Sequence, residues 1–172
     1  MSLAATTNIY LPVAAGSIYY NGAINNLDLI AGGSIHADLQ FASFDSAADS
    51  SIVLDLSFYS LPAFGNSVSV YGYDYAAGQL TSSDYNAGTY LGSLVIPGNI
   101  IYETQLFFDV TSFVQSEQGA YFGFELQSSE VDWFNIARNV YDPPPELIAT
   151  SVPEPSICAL TAFGGLLLGG GF

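Results

Sequence analysis

Acid–base chemistry in this chain would have to be done by sixteen Asp and Glu residues, one histidine, His36, and one cation, Arg138, because lysine does not occur. General acid–base and nucleophilic mechanisms usually recruit His, Cys or Lys tuned by their neighbours. A Ser-His-Asp arrangement would depend on His36, which lies in a strand-like stretch with no G-x-S-x-G elbow nearby. Paired carboxylates for glycoside cleavage would come from Asp74, Asp84, Glu103 and Glu125, but the required ~5 to 9.5 Å separation is spatial. Catalysis is therefore not expected. The single cysteine, Cys158, lies in an apolar terminal run and supports no disulfide framework.

Binding chemistry is better supplied. Val68 and Val70 alternate with Ser69, Tyr71, Tyr73 and Tyr75, which sets a line of hydroxylated rings on one face of a strand. Aromatic rings stack on the apolar faces of sugars while Asn, Gln and Asp take their hydroxyls. Tyr71, Tyr73 and Tyr75 are accordingly the candidate carbohydrate platform, with Trp133 as a further contact. The same tyrosines also make a cross-strand aromatic stripe worth ~0.2 to 1 kcal/mol per pair, and Trp133 sits inside an apolar strand. For both, the structural role is preferred.

Hard oxygen ligands make calcium the only metal worth considering. Asp28, Asp45, Asp49 and the pair Asn25-Asn26 lie in loops that could ligate it, although no EF-hand spacing occurs and solvated acidic loops account for the same residues. No other cofactor is expected. The formal charge of −15 repels phosphate backbones, which excludes nucleic acid as a partner. Charged residues are only 10% of the chain, so its surface is solvated mostly by Ser, Thr, Asn, Gln and Tyr, a pattern that suits secretion.

The elements that would carry these residues are strands. At 172 residues the chain is one domain long, with twelve Phe and twelve Tyr for strands and seventeen Gly for turns. From Ser34 to Phe44, Ile35, Ala37, Leu39 and Phe41 point inward, leaving His36, Asp38 and Gln40 to solvent. From Ser51 to Tyr59, Ile52, Leu54, Leu56 and Phe58 point inward while Val53, Asp55, Ser57 and Tyr59 face out. A Gly/Ser/Asn-rich excursion through Tyr85 follows the tyrosine strand. Phe122, Phe124 and Leu126 alternate in the same way.

Around Asp109 the period changes, and Val110, Phe113 and Val114 fit one helical turn capped by Asp109 or Thr111. About eight or nine short strands with no longer helical pattern between them predict an all-β fold, an antiparallel β-sandwich or jelly roll with that one turn. Asn8 to Val13 reads as a short apolar strand and Ser17 to Ile30 as a loose Gly/Asn-rich segment with room for short pairing, and the core is expected to begin after Gly32-Gly33.

The chain closes on Val152-Pro153-Glu154-Pro155-Ser156 and an apolar run from Ile157 to Phe172. This tail resembles the PEP-CTERM sorting signal of bacterial surface proteins. The resemblance implies that an exosortase-type membrane transpeptidase reads Pro153, Glu154 and Pro155, and that the apolar run inserts transiently in the inner membrane. It further implies export to the cell surface or the extracellular matrix. The basic cluster that follows in that family does not occur in this sequence. Sixteen residues at ~1.5 Å each reach ~24 Å, short of a ~30 Å hydrocarbon core. Met1 to Ala5 has neither a basic nor an apolar leader pattern, so the expected start lies upstream, or the leader has been removed, or the sequence is a fragment imperfect at both ends.

A second resemblance lies in the body, at Phe108-Asp109-Val110-Thr111, Phe113-Val114-Gln115, Gly123-Phe124 and Pro144-Pro145-Glu146-Leu147. These look like the final third of carbohydrate-binding β-sandwich modules of the DNRLRE or family-96 type, without the arginines common in related modules. The expected organisation is an N-terminal strand and loop region over 1–33 joined to a sandwich over 34–151, followed by a hydrophobic sorting tail over 152–172. The expected function is that of a non-enzymatic exported surface or matrix protein. A polysaccharide-binding module and a self-assembling surface subunit with open sheet edges are the alternatives.

Overall fold

Ile52, Leu54, Leu56 and Phe58 alternate along one long strand, and each is 0% exposed. Burial of every second side chain is what a strand with one face on a core requires. The computed structural model describes residues 4–60, 67–74, 77–96, 104–128, 134–136 and 144–152. Twelve strands are defined among them. They are β1 (Thr6–Tyr10), β2 (Ala14–Tyr19), β3 (Ile24–Asn25), β4 (Leu29–Ala31), β5 (Ile35–Ala42), β6 (Asp49–Ser60), β7 (Ser67–Tyr73), β8 (Thr89–Val95), β9 (Thr104–Asp109), β10 (Tyr121–Gln127), β11 (Phe134–Ile136) and β12 (Glu146–Ser151). One helix, α1 (Thr111–Ser116), and a 3-10 turn at Ser82–Asp84 complete the set.

Two antiparallel sheets result. In the first, β1, β12, β6, β11 and β4 follow one another, and β9 pairs with β6. The twelve-residue β6 spans this sheet: β12 pairs with its first half, β11 with its end, and β9 lies along its other side. The second sheet runs β3, β2, β5, β10, β7, β8. The core between them takes Phe41 and Leu39 from β5, Phe122, Phe124 and Leu126 from β10, and Val68 and Val70 from β7. These meet Leu54, Leu56 and Phe58 of β6 and Leu147 and Ala149 of β12.

The helix links β9 to β10 and seals one side of this core with Val110, Phe113 and Val114. Gly72 of β7 is required for that seal, because a Cβ there would stand 2.6 Å from the Phe113 ring. Phe113 in turn meets Phe124 edge-on at 5.3 Å between centroids. Thr111 pins the helix to β6 by accepting the Ile52 N–H at 2.7 Å. Gln115 donates to the Asp49 carbonyl at 2.7 Å.

Several sequence expectations need correction. The N-terminal region is part of both sheets: β1 and β4 belong to the first and β2 and β3 to the second, with Ile18, Leu29 and Ala31 buried. Its small residues looked loop-like, but Ser17 is buried and holds two segments together, donating to the Asp28 carbonyl and accepting from the Ile30 N–H. The helix N-cap is Val110. Asp109, one residue earlier, takes the Thr111 N–H at 2.9 Å and its hydroxyl at 2.7 Å. Asp55 and Ser57, expected to face out, are buried because β6 is flanked along both edges.

Candidate functional site

The outer face of the second sheet is where the polar residues gather, and its registers define three rows. Ala14, Gln40, Gly123 and Tyr73 lie across β2, β5, β10 and β7. Gly16, Asp38, Glu125 and Tyr71 lie in the next row, which ends at Tyr90 of β8. The third begins with Ile18 and His36 on β2 and β5, while Gln127, Ser69 and Ser93 align on β10, β7 and β8.

The half of this face nearest β2 is covered. The segment after β7 folds back over it, so that His36 is only 6% exposed and Asp38, Gln40 and Glu125 are 0% exposed. The expectation that His36, Asp38 and Gln40 meet solvent is therefore wrong. Alternation assigns a side chain to a face, whereas a separate stretch of chain decides whether that face is wet. Leu80 lies over Gly16, where a Cβ would be 2.9 Å from its methyl carbon. Asp84 accepts from the Thr81 N–H at 2.7 Å and from the Gln40 amide at 3.1 Å. Glu125 Oε1 accepts the Asn86 N–H at 2.8 Å and meets His36 Nδ1. Tyr85 stacks on the His36 ring, centroids 4.1 Å apart and planes 4° from parallel. Asn86 adopts φ 63° at this point, in the left-handed region that Asn tolerates better than most residues.

Tyr73 belongs to the same network and not to an exposed platform. Its ring is 2% exposed, and its hydroxyl donates to Asp38 Oδ1 at 2.5 Å while accepting from the Gln40 amide at 3.1 Å. Burial, then the Asp38 charge, holds its phenol above the usual tyrosine range. Burial also pushes the Asp38 carboxyl well above the ordinary carboxylate value; the Tyr73 hydrogen bond opposes this, and the charges of Asp84 and Glu125 reinforce it. Asp38 and Glu125 face each other directly on neighbouring strands, where two like charges repel. Glu125 also raises the Tyr85 phenol, after the larger effect of burial.

The exposed half of the face carries Tyr71 and Tyr90, edge to face with centroids 5.5 Å apart. Tyr90 is 54% exposed. Its hydroxyl lies 2.8 Å from Ser93 Oγ, which is 3.4 Å from Ser69 Oγ. Of the sequence-predicted platform, Tyr71 thus keeps an accessible position and Tyr73 does not. Tyr90, on β8, is not among the sequence-predicted contacts, because its place beside Tyr71 depends on the β7–β8 register. Tyr75, Trp133, Glu103, Pro153, Glu154 and Pro155 lie outside the described residues.

The remaining candidates separate. The Asp28 carboxylate takes the Asn25 side-chain amide at 2.9 Å, and Asp45 takes the Ala47 N–H at 3.3 Å. Asp49 is buried at the start of β6, opposite Ser151. Among the described residues no three His, Cys, Asp or Glu side chains converge as a metal site. A cleft of about 440 Å³ between α1 and the β7 end is lined by Asp74, Phe113, Ser116 and Glu117 among others. Burial and the Asp74 charge raise the Glu117 carboxyl there.

Chemically, the covered set holds one stretch of chain on another: His36, Gln40 and Tyr73 donate to carboxylates that no lysine or arginine among the described residues neutralises. The open tyrosine pair presents ring faces and hydroxyls. No helix among the described residues is long and apolar enough to cross a membrane. Comparison with protein-family models and with curated proteins gives no match.

Proposed function

We propose that this chain is an exported, non-enzymatic surface or matrix protein whose β-sandwich is delivered by the Pro153-Glu154-Pro155 signal and the apolar run behind it. The observation that carries the reading is where the sandwich ends. β12 lies between β1 and β6 up to Ser151, and Val152 is already 60% exposed. The signal therefore starts one residue past an exposed end, and cleavage there leaves every described strand in place. The covered network is consistent with a non-enzymatic role, because His36, Gln40 and Glu125 are used to hold the segment after β7, through Tyr85, Asp84 and Asn86. An exosortase-type membrane transpeptidase is the processing partner in this reading, with transient membrane contact through the tail. In a host with an exosortase, deletion of residues 152–172 should abolish processing and surface release. Unchanged processing would overturn the proposal.

A second reading is favoured by one observation, the pairing of half-buried Tyr71 with exposed Tyr90, with the Ser69 and Ser93 hydroxyls beside it. Rings and hydroxyls on an open strand face suit an extended extracellular polysaccharide. Tyr90→Ala should abolish retention on the polysaccharide that binds the intact chain, whereas Tyr73→Phe should leave it. Binding indifferent to Tyr90→Ala would remove this site.

A further inference from the structure

The longest stretch of sequence without charge coincides with an unprotected sheet edge. Residues 1–27 contain no Asp, Glu, Lys, Arg or His, although the whole chain carries a formal −15. Six of the ten exposed large apolar or aromatic side chains among the described residues fall between Ile9 and Leu27. Ile9 and Leu11 are each 59% exposed and Val13 is 50% exposed. Just past β1, Leu11 and Val13 join Pro144 and Pro145 in lining a groove of about 220 Å³ with no charged residue in it.

Among the described residues β1 forms the end of the first sheet and pairs with β12 alone, in unbroken register from Thr6 to Tyr10. Sheet edges present unpaired N–H and C=O groups, and proteins normally blunt them with short strands, bulges, charges or proline. The other edges here are blunted. β3 has two residues and β4 three. The β7–β8 register shifts after Val70. β9 ends in the charged Asp109. β1 has five regular residues and none of these devices.

We infer that the free edge of β1 pairs antiparallel with β1 of a second copy of this chain, extending the first sheet across a two-fold axis. Charge favours this approach: two chains of −15 repel, and a β1 edge without carboxylates lets them meet without placing carboxylates against each other. A strand that offers its own backbone is self-complementary in an isologous contact, and Ile9, Leu11 and Val13 add apolar area beside the hydrogen bonds. The inference is independent of how the chain is delivered.

Sedimentation of the full chain over a concentration and salt series tests it. Wild type should form a reversible dimer that tightens as salt rises, since screening weakens the long-range repulsion. Ile9→Lys and Asn8→Asp should each weaken the dimer by about tenfold, or about 1.4 kcal/mol, with thermal unfolding of the dilute proteins confirming that both fold. Phe107→Lys on β9 should leave dimerisation unchanged. A chain monomeric at every salt concentration overturns the inference, as does association indifferent to both β1 variants, which would place the contact elsewhere, including in the tail.

Discussion

Tyr73 on β7 reaches across β10 to donate its hydroxyl to Asp38 on β5, and Gly123 is the residue it crosses. A Cβ at Gly123 would stand 2.2 Å from the Tyr73 ring, so the ring occupies the space that any other residue would fill. Glycine inside a strand marks such a close approach. Gly123→Ala should therefore destabilise the fold by about 1–3 kcal/mol or more, as overpacking does. Denaturant midpoints would measure it. A Gly123→Ala protein as stable as wild type would mean that the ring does not lie there.

Tyr73→Phe keeps the ring but removes the donor to Asp38 and one of the two acceptors of the Gln40 amide. Loss of a buried partner costs about 1–3 kcal/mol, and the same denaturation series should show a smaller loss than Gly123→Ala produces. Equal stability of Tyr73→Phe and wild type would contradict the hydroxyl's role.

Acid–base behaviour should follow Asp55 and Asp38. The Asp55 carboxyl is pushed up to about 6 by burial and, secondarily, by Glu146. A raised carboxyl holds its proton more tightly folded than unfolded, so its contribution is fully present below the unfolded value and is lost as pH rises through about 6. Asp38 acts in the same direction. Asp109 acts oppositely, since its bonds to the Thr111 N–H and hydroxyl lower its carboxyl and its contribution is lost on acidification. Asp55→Asn should therefore flatten the decline in unfolding free energy between about pH 4 and about pH 6. An unchanged slope in that variant would refute the assignment.

The cover over the second sheet depends on His36, which touches Glu125 on one side and the Tyr85 ring on another. His36→Ala should loosen the segment from Thr81 to Ala87 before the rest of the protein unfolds. Hydrogen exchange at the Asn86 amide, bonded to Glu125, is the readout, because locally opened amides exchange without global unfolding. Protection at Asn86 equal to wild type would show that the cover is held by its other contacts alone.

Thr111 links helix to sheet through the Ile52 N–H. Thr111→Val keeps the shape and removes the acceptor, leaving a part-buried N–H unpaired at a cost of about 1–3 kcal/mol. Melting temperature would register the loss, and a neutral substitution would mean that solvent replaces the bond.

Much of the inner architecture was legible as period-two alternation. Phe122, Phe124 and Leu126, and Ile52, Leu54, Leu56 and Phe58, point inward as their spacing predicts, because a pleated strand leaves no other choice once one face is apolar. The helical turn was legible from Val110, Phe113 and Val114. The covered site was not. Its bonds join residues far apart in sequence: 89 positions separate His36 from Glu125, 44 separate Gln40 from Asp84, and 39 separate Asn86 from Glu125. The available signal was glycine, since Gly16 and Gly123 lie inside strands where only a close approach explains them.

By itself, then, the chain's amino-acid order determined an all-β protein, the residues that face its core, and a strongly acidic charge balance. The order of the strands, and the return of the segment after β7 over one outer face, were decided only in three dimensions. The reason is physical: alternation is a local property of the backbone, whereas burial of the opposite face depends on whichever distant segment comes to lie on it. That is why His36, Asp38 and Tyr73, which look like solvent-facing residues along the chain, became the buried polar layer of the fold.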